Sequence, residues 1–116
     1  PLLGAEIDDI MEREKEKRKE ELKEQLLNMD GYMAFDEFVE LYDYQAARVL
    51  YAAFPDEVTA LLRVGSYEVR EKIIKNIDEL ELYHCLDLLF RKRPGETIKS
   101  DFLFAKEELL KHIESE

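Results

Sequence analysis

Apolar positions in this chain recur at intervals of three and four, and nowhere alternate long enough to make more than a fragment of a strand. Residues 2–30 read as one long helix with an unusual middle. Ile7, Ile10 and Met11 form a short apolar stripe, every position from Glu12 to Glu21 is charged, and Leu22, Leu26 and Leu27 resume the stripe. Glu12–Lys15, Glu14–Arg18, Glu16–Lys19 and Glu20–Lys23 stand at supportive spacing within the charged run. A helix polar all round is held by such pairs or spans solvent between two bodies. The run carries residues 2–11 roughly 15 Å from the core and excludes a continuous heptad seam.

The strongest periodic segment predicts a helix over about 36–54, with Phe35, Phe38, Val39, Tyr42, Ala46, Val49, Leu50 and Ala53 inward. Leu41, Tyr44, Tyr51 and Phe54 widen that stripe beyond one packing face. Pro55 with Asp56 and Glu57 predicts a short helix over about 55–64, with Val58, Leu61 and Leu62 inward and Gly65 at its C-terminal cap. Ser66 caps the next helix, with Val69, Ile73, Ile77 and Leu80 on one side. A break at Asn76 or Asp78 opens another over about 79–92, where Leu82, Tyr83, Leu86, Leu89 and Phe90 are apolar. Arg91, Lys92 and Arg93 then complement its C-terminal dipole. Pro94-Gly95 reads as a turn, Thr97-Ile98-Lys99 as briefly extended, and Ser100 as the cap of a last helix with Phe102, Leu103, Leu109, Leu110 and Ile113 inward. The expected architecture is all-α: a compact bundle of five to six helices over 22–116, preceded by a charged helical arm over 1–21.

Composition narrows the function classes. A net charge of −11 over 116 residues speaks against nucleic acid as a direct partner and for a basic partner, or for solubility alone. No apolar run spans a bilayer, and no basic-then-apolar leader is present. The single Cys85 forbids an internal disulfide and fits a reducing, cytoplasmic compartment. His84 and Cys85 are adjacent and point about 100° apart on a helix, so they make no nucleophile–base pair. Glu81-x-x-His84 has the spacing of half a di-iron site, but Glu108 and His112 are only a loose echo of the second half. No phosphate loop, zinc spacing or nucleophile elbow is present, so catalysis is not expected.

One stretch carries a more specific pattern: Asn28, Asp30 and Gly31, then Met33, then Glu37-Phe38. It resembles an EF-hand calcium loop running from Leu26 to Glu37. The resemblance implies Asn28 and Asp30 as side-chain ligands, Tyr32 as a carbonyl ligand, Glu37 as the bidentate ligand, and Met33 as the residue pairing with a sister loop. Leu26 stands where the first Asp ligand belongs, which removes a charge and a coordination point. An Asp-Gly turn between two helices explains the same residues. Gly31, Gly65 and Gly95 are each followed six residues later by an acid (Glu37, Glu71, Asp101), but the later two loops lack ligand oxygens ahead of the Gly.

The sequence therefore points first to a non-catalytic interaction module for a basic or amphipathic segment of another protein. Tyr42, Tyr44 and Tyr51 with Glu40 and Asp43 form the candidate contact surface, and Ile7, Ile10 and Met11 a second contact open to self-association. A second class is an acidic inhibitor occupying the nucleic-acid-binding surface of a partner enzyme, because residues 24–62 hold eight acids and one base, Arg48. A third is a calcium sensor, with calcium as the one cofactor the loop would admit.

Overall fold

A computed structural model describes residues 4–91 and 95–115. Among these are seven helices: α1 (Gly4–Leu27), α2 (Asp36–Val39), α3 (Asp43–Ala52), α4 (Pro55–Val64), α5 (Tyr67–Asn76), α6 (Glu79–Leu89) and α7 (Gly95–Glu114). The only bridge among the described residues is an isolated parallel one between Met33 and Gly65. The all-α bundle stands. The expected turn at Pro94 and the basic residues Lys92 and Arg93 lie outside the described residues, as do Leu2 and Leu3.

Local signals place most boundaries. Pro55 opens α4, and the Glu57 carboxylate accepts from Phe54 N at 2.8 Å, fixing the chain just ahead of it. Ser66 and Asp78 cap α5 and α6. Two expectations fail. The helix predicted over 36–54 is two helices, α2 and α3, because the backbone turns extended at Tyr42 (φ −63°, ψ 153°). There Gln45 of α3 accepts from Tyr42 N at 3.0 Å, and Lys72 of α5 donates to the Leu41 carbonyl, so the freed polar groups are met by side chains. The extra helix takes the count past six. At the C-terminal end, Thr97-Ile98-Lys99 is helical and Ser100 lies inside α7. With Pro94 preceding and Glu96 in the first turn, the sequence also fits a helix start at Gly95.

The main core joins α2, α3, α4, α5 and α7 with Cys85 of α6, and Phe35, Phe38, Leu61, Leu62, Ile73, Phe102 and Leu109 are out of solvent. A second, smaller cluster seats the lower end of α1: Leu26 with Ile74, Leu82 and Leu86, flanked by Leu22 and Leu27. Above Lys19 the arm is exposed at every described side chain, braced by Arg13–Asp9 at 2.8 Å and, lower down, by Lys19–Glu16 at 3.2 Å. The radius of gyration of 16.1 Å exceeds the roughly 13 Å of a compact chain this long, and the overhanging arm accounts for the excess. Three residues expected inside are outside: Tyr42, Leu80 and Leu103. Tyr42 and Leu80 follow directly from the breaks at 40–42 and 77–78; at Leu103, Ala105 takes the inner position between Phe102 and Leu109.

Three cationic side chains tie helix ends together. Arg70 donates to the carbonyl of Leu26 at the end of α1, Arg63 to that of Leu88 at the end of α6 (2.7 Å), and Lys72 to Leu41 beyond α2. Each places positive charge where a helix dipole ends and satisfies a carbonyl that has no partner within its helix. Arg70 is buried, and burial lowers its pKa while Asp30 opposes the shift.

Candidate protein-interaction surface

The predicted contact residues of α3 divide by face. Ala46, Val49 and Leu50 pack inward, while Tyr44, Arg48 and Tyr51 stand at i, i+4 and i+7 on the exposed side. Tyr42, turned outward by the extended backbone, stacks on Tyr44 with ring centroids 6.1 Å apart and planes 11° apart. The Arg48 guanidinium lies over the other part of this group, 5.8 Å from the Tyr44 centroid. Phe54 extends the row past the end of α3. Exposures are 71% for Tyr42, 62% for Tyr44, 91% for Tyr51 and 72% for Phe54. The rings present faces that take cationic groups, as Arg48 demonstrates within the chain.

Of the two acids predicted beside these rings, Glu40 is exposed, as are Asp36 and Glu37. Asp43 is committed to the fold. Its carboxylate accepts from Asn76 Nδ2 at 3.2 Å and pairs with Lys72 and Lys75, each at 3.2 Å. The Asn76 hydrogen bond, then the two lysines, hold its pKa down to about 2. Asp43 therefore clamps α3 to α5, and its charge is already answered. Ile7, Ile10 and Met11 lie on the exposed arm, on a different element from the tyrosines.

The Asn28–Glu37 stretch is built as a joint. Tyr32 N and Met33 N both donate to the Val64 carbonyl (3.0 and 2.9 Å), and Ser66 N donates to Met33 O at 2.9 Å. Asn28, Asp30, Tyr32 and Glu37 are exposed side chains along it, and Leu26 is buried at its start. Met33 forms an isolated parallel bridge with Gly65. Gly31 has no positive φ; its role is closeness, since a Cβ there would lie 2.0 Å from Gly65 O. No group of three or more His, Cys, Asp or Glu side chains among the described residues is placed to hold a metal ion.

Two concave features had no sequence signal, because each is assembled from distant elements. A hollow of about 300 Å³ lies between α4, α6 and α7, lined by Asp56, Glu57, Arg63, Arg91, Asp101 and Phe104 among others. Its one lining hydroxyl among the described residues, Thr59, donates to Pro55 O at 2.7 Å, and Glu57 and Arg63 are held by backbone groups. A trough between α1 and α6 is apolar on its floor. His84 is exposed and Cys85 buried, with the thiol pKa pushed up to about 11 by burial, so that sulfur is held protonated. Among the described residues no helix is long and apolar enough to cross a membrane.

Comparison with protein-family models, with curated proteins and with solved structures finds no match for this chain.

Proposed function

We propose that this chain is a non-catalytic interaction module that binds a basic, amphipathic segment of another protein across the tyrosine face of α3. The observation that carries this reading is the exposed set Tyr42, Tyr44, Tyr51 and Phe54, on and flanking a helix whose Ala46, Val49 and Leu50 are buried. Tyr supplies contact area at low entropic cost, and stacking of Tyr42 on Tyr44 fixes two of the rings before any partner arrives. Glu40, two residues before Tyr42, and Asp36 and Glu37 on α2 are exposed acids, and a ligand with a Lys or Arg edge meets them while its apolar edge meets the rings.

The test is calorimetric titration of the full chain with a synthetic helix carrying Leu on one face and Lys and Arg on the other. Binding should weaken roughly tenfold or more on Tyr44→Ala with Tyr51→Ala, and change little between about 50 and 500 mM salt. Binding that collapses with salt and ignores the tyrosine changes would favour the acidic-inhibitor reading instead. Absence of binding at either salt would remove the α3 proposal.

A further inference from the structure

The acid-rich stretch 24–62 has one base, and that base is seated on a tyrosine. Eight acids and Arg48 alone make up its charged residues. The Arg48 guanidinium lies 5.8 Å from the centroid of the Tyr44 ring, one helical turn back along α3. Tyr42 stacks on the same ring, with planes 11° apart. Asp43 is spent on Lys72 and Lys75 of α5, so the acids left to a ligand near the start of α3 are Glu40 and the α2 pair Asp36 and Glu37.

The two basic side chains behave differently on such a surface. A guanidinium is planar and weakly hydrated and lies flat on a ring, whereas an ammonium keeps its water and seeks carboxylates. Tyr44, Arg48 and Tyr51 follow at i, i+4 and i+7, so exposed Arg48 stands between two rings on one face. Tyr51, 91% exposed and three residues on, gives Arg48 a second ring to move to.

We infer that the tyrosine face of α3 recognises arginine, and that Arg48 covers the Tyr44 ring in the free chain until a partner's arginine displaces it. This rests on the reading of α3 as the contact face, and adds which basic residue the partner presents. Arg48 shows what the ring accepts, since it brings the same chemistry to the same place from within the chain. It also sets a threshold. A partner offering only lysines meets Glu40 and the α2 acids and leaves Arg48 on its ring. A partner with an arginine at that point trades it for Arg48.

The test uses two synthetic helices with the same Leu face, one carrying Arg and the other Lys, titrated into the full chain at about 150 mM salt. The arginine helix should bind about fivefold tighter. In the NMR spectrum its binding should move the Arg48 side-chain protons, shifted upfield by the Tyr44 ring, back toward unshifted positions. The lysine helix should leave them in place. Arg48→Lys keeps the charge and gives up the planar stack, at an exposed position where the two residues have similar helix propensity. It should tighten the arginine helix about threefold and leave the lysine helix unchanged. Equal affinity for the two helices, Arg48 protons that stay put while the arginine helix binds, or no tightening on Arg48→Lys would overturn the inference and leave the contact face standing. Failure of both helices to bind either protein would remove the contact face, and the inference with it.

Discussion

Gly31 and Gly65 meet backbone to backbone: a Cβ on Gly31 would lie 2.0 Å from the Gly65 carbonyl oxygen and 2.9 Å from its carbon. Both obstructing atoms are main chain, held by the Met33–Gly65 bridge and the hydrogen bonds to Val64 and from Ser66. Gly31→Ala must therefore separate two loops that everything around them holds together. The expected cost is about 3 kcal/mol, read as a lower urea midpoint with the slope unchanged. A change at the neighbouring exposed Tyr32, to Ala, should cost far less, which separates a contact effect from general sensitivity of the loop.

Buried Arg70 donates to the Leu26 carbonyl near the end of α1, and its Nε has no hydrogen-bond partner among the described residues. Arg70→Met fills a similar volume but leaves that carbonyl only the longer hydrogen bond from Met29 N at 3.3 Å, at an expected net loss of about 1 kcal/mol. The loss should be local first. Hydrogen exchange at Asn28 N, now bonded to Glu24 O at 3.0 Å, should accelerate before exchange in α4 changes.

The Asp43 clamp makes a pH prediction. Its carboxyl is depressed from an ordinary 3.8 to about 2 by Asn76, Lys72 and Lys75. A depressed folded-state pKa means the unfolded chain takes up the proton first as pH falls. The contribution is thus complete above pH 3.8 and is lost as pH falls through about 2. The urea midpoint of the wild type should exceed that of Asp43→Asn above this window, and the gap should close within it. A gap independent of pH would assign Asp43 to packing alone.

Calcium should leave the melting temperature where a chelator leaves it. The Tyr32–Met33 backbone is engaged by Val64 and Ser66, and Leu26 is buried where a first ligand would be. A site filled at a hundred times its dissociation constant would add about 2.7 kcal/mol and several degrees. A calcium-specific rise abolished by Glu37→Gln would make the loop a true ion site.

Boundaries written in local chemistry were legible: Pro55, Ser66 and Asp78 each act on their own backbone and nearest turn. The break between α2 and α3 was not. Phe38, Val39, Tyr42 and Ala46 keep helical spacing across it, and the chain turns there where Lys72, thirty-one residues on, meets Leu41. Gln45, three residues after Tyr42, was the available signal, since it answers the Tyr42 amide. The tyrosines were found as an excess of aromatics on one helix. Which of them face water depended on that unseen break, and the commitment of Asp43 depended on α5. The trough was invisible because Leu22 and Leu86 become neighbours only once α1 is seated.

The charged middle of α1 has a consequence for how this chain tolerates change in length. Anchored at Leu26 and unbroken to its tip, α1 converts residue number into direction as well as reach. One residue inserted between Glu12 and Glu21 advances the tip by about 1.5 Å but swings its apolar stripe by about 100° relative to the seated Leu22 and Leu26. Seven or eleven inserted residues restore the azimuth to within about 20°. The stretch most permissive in composition is thus a rigid spacer, whose number of residues sets both the reach and the azimuth of the tip.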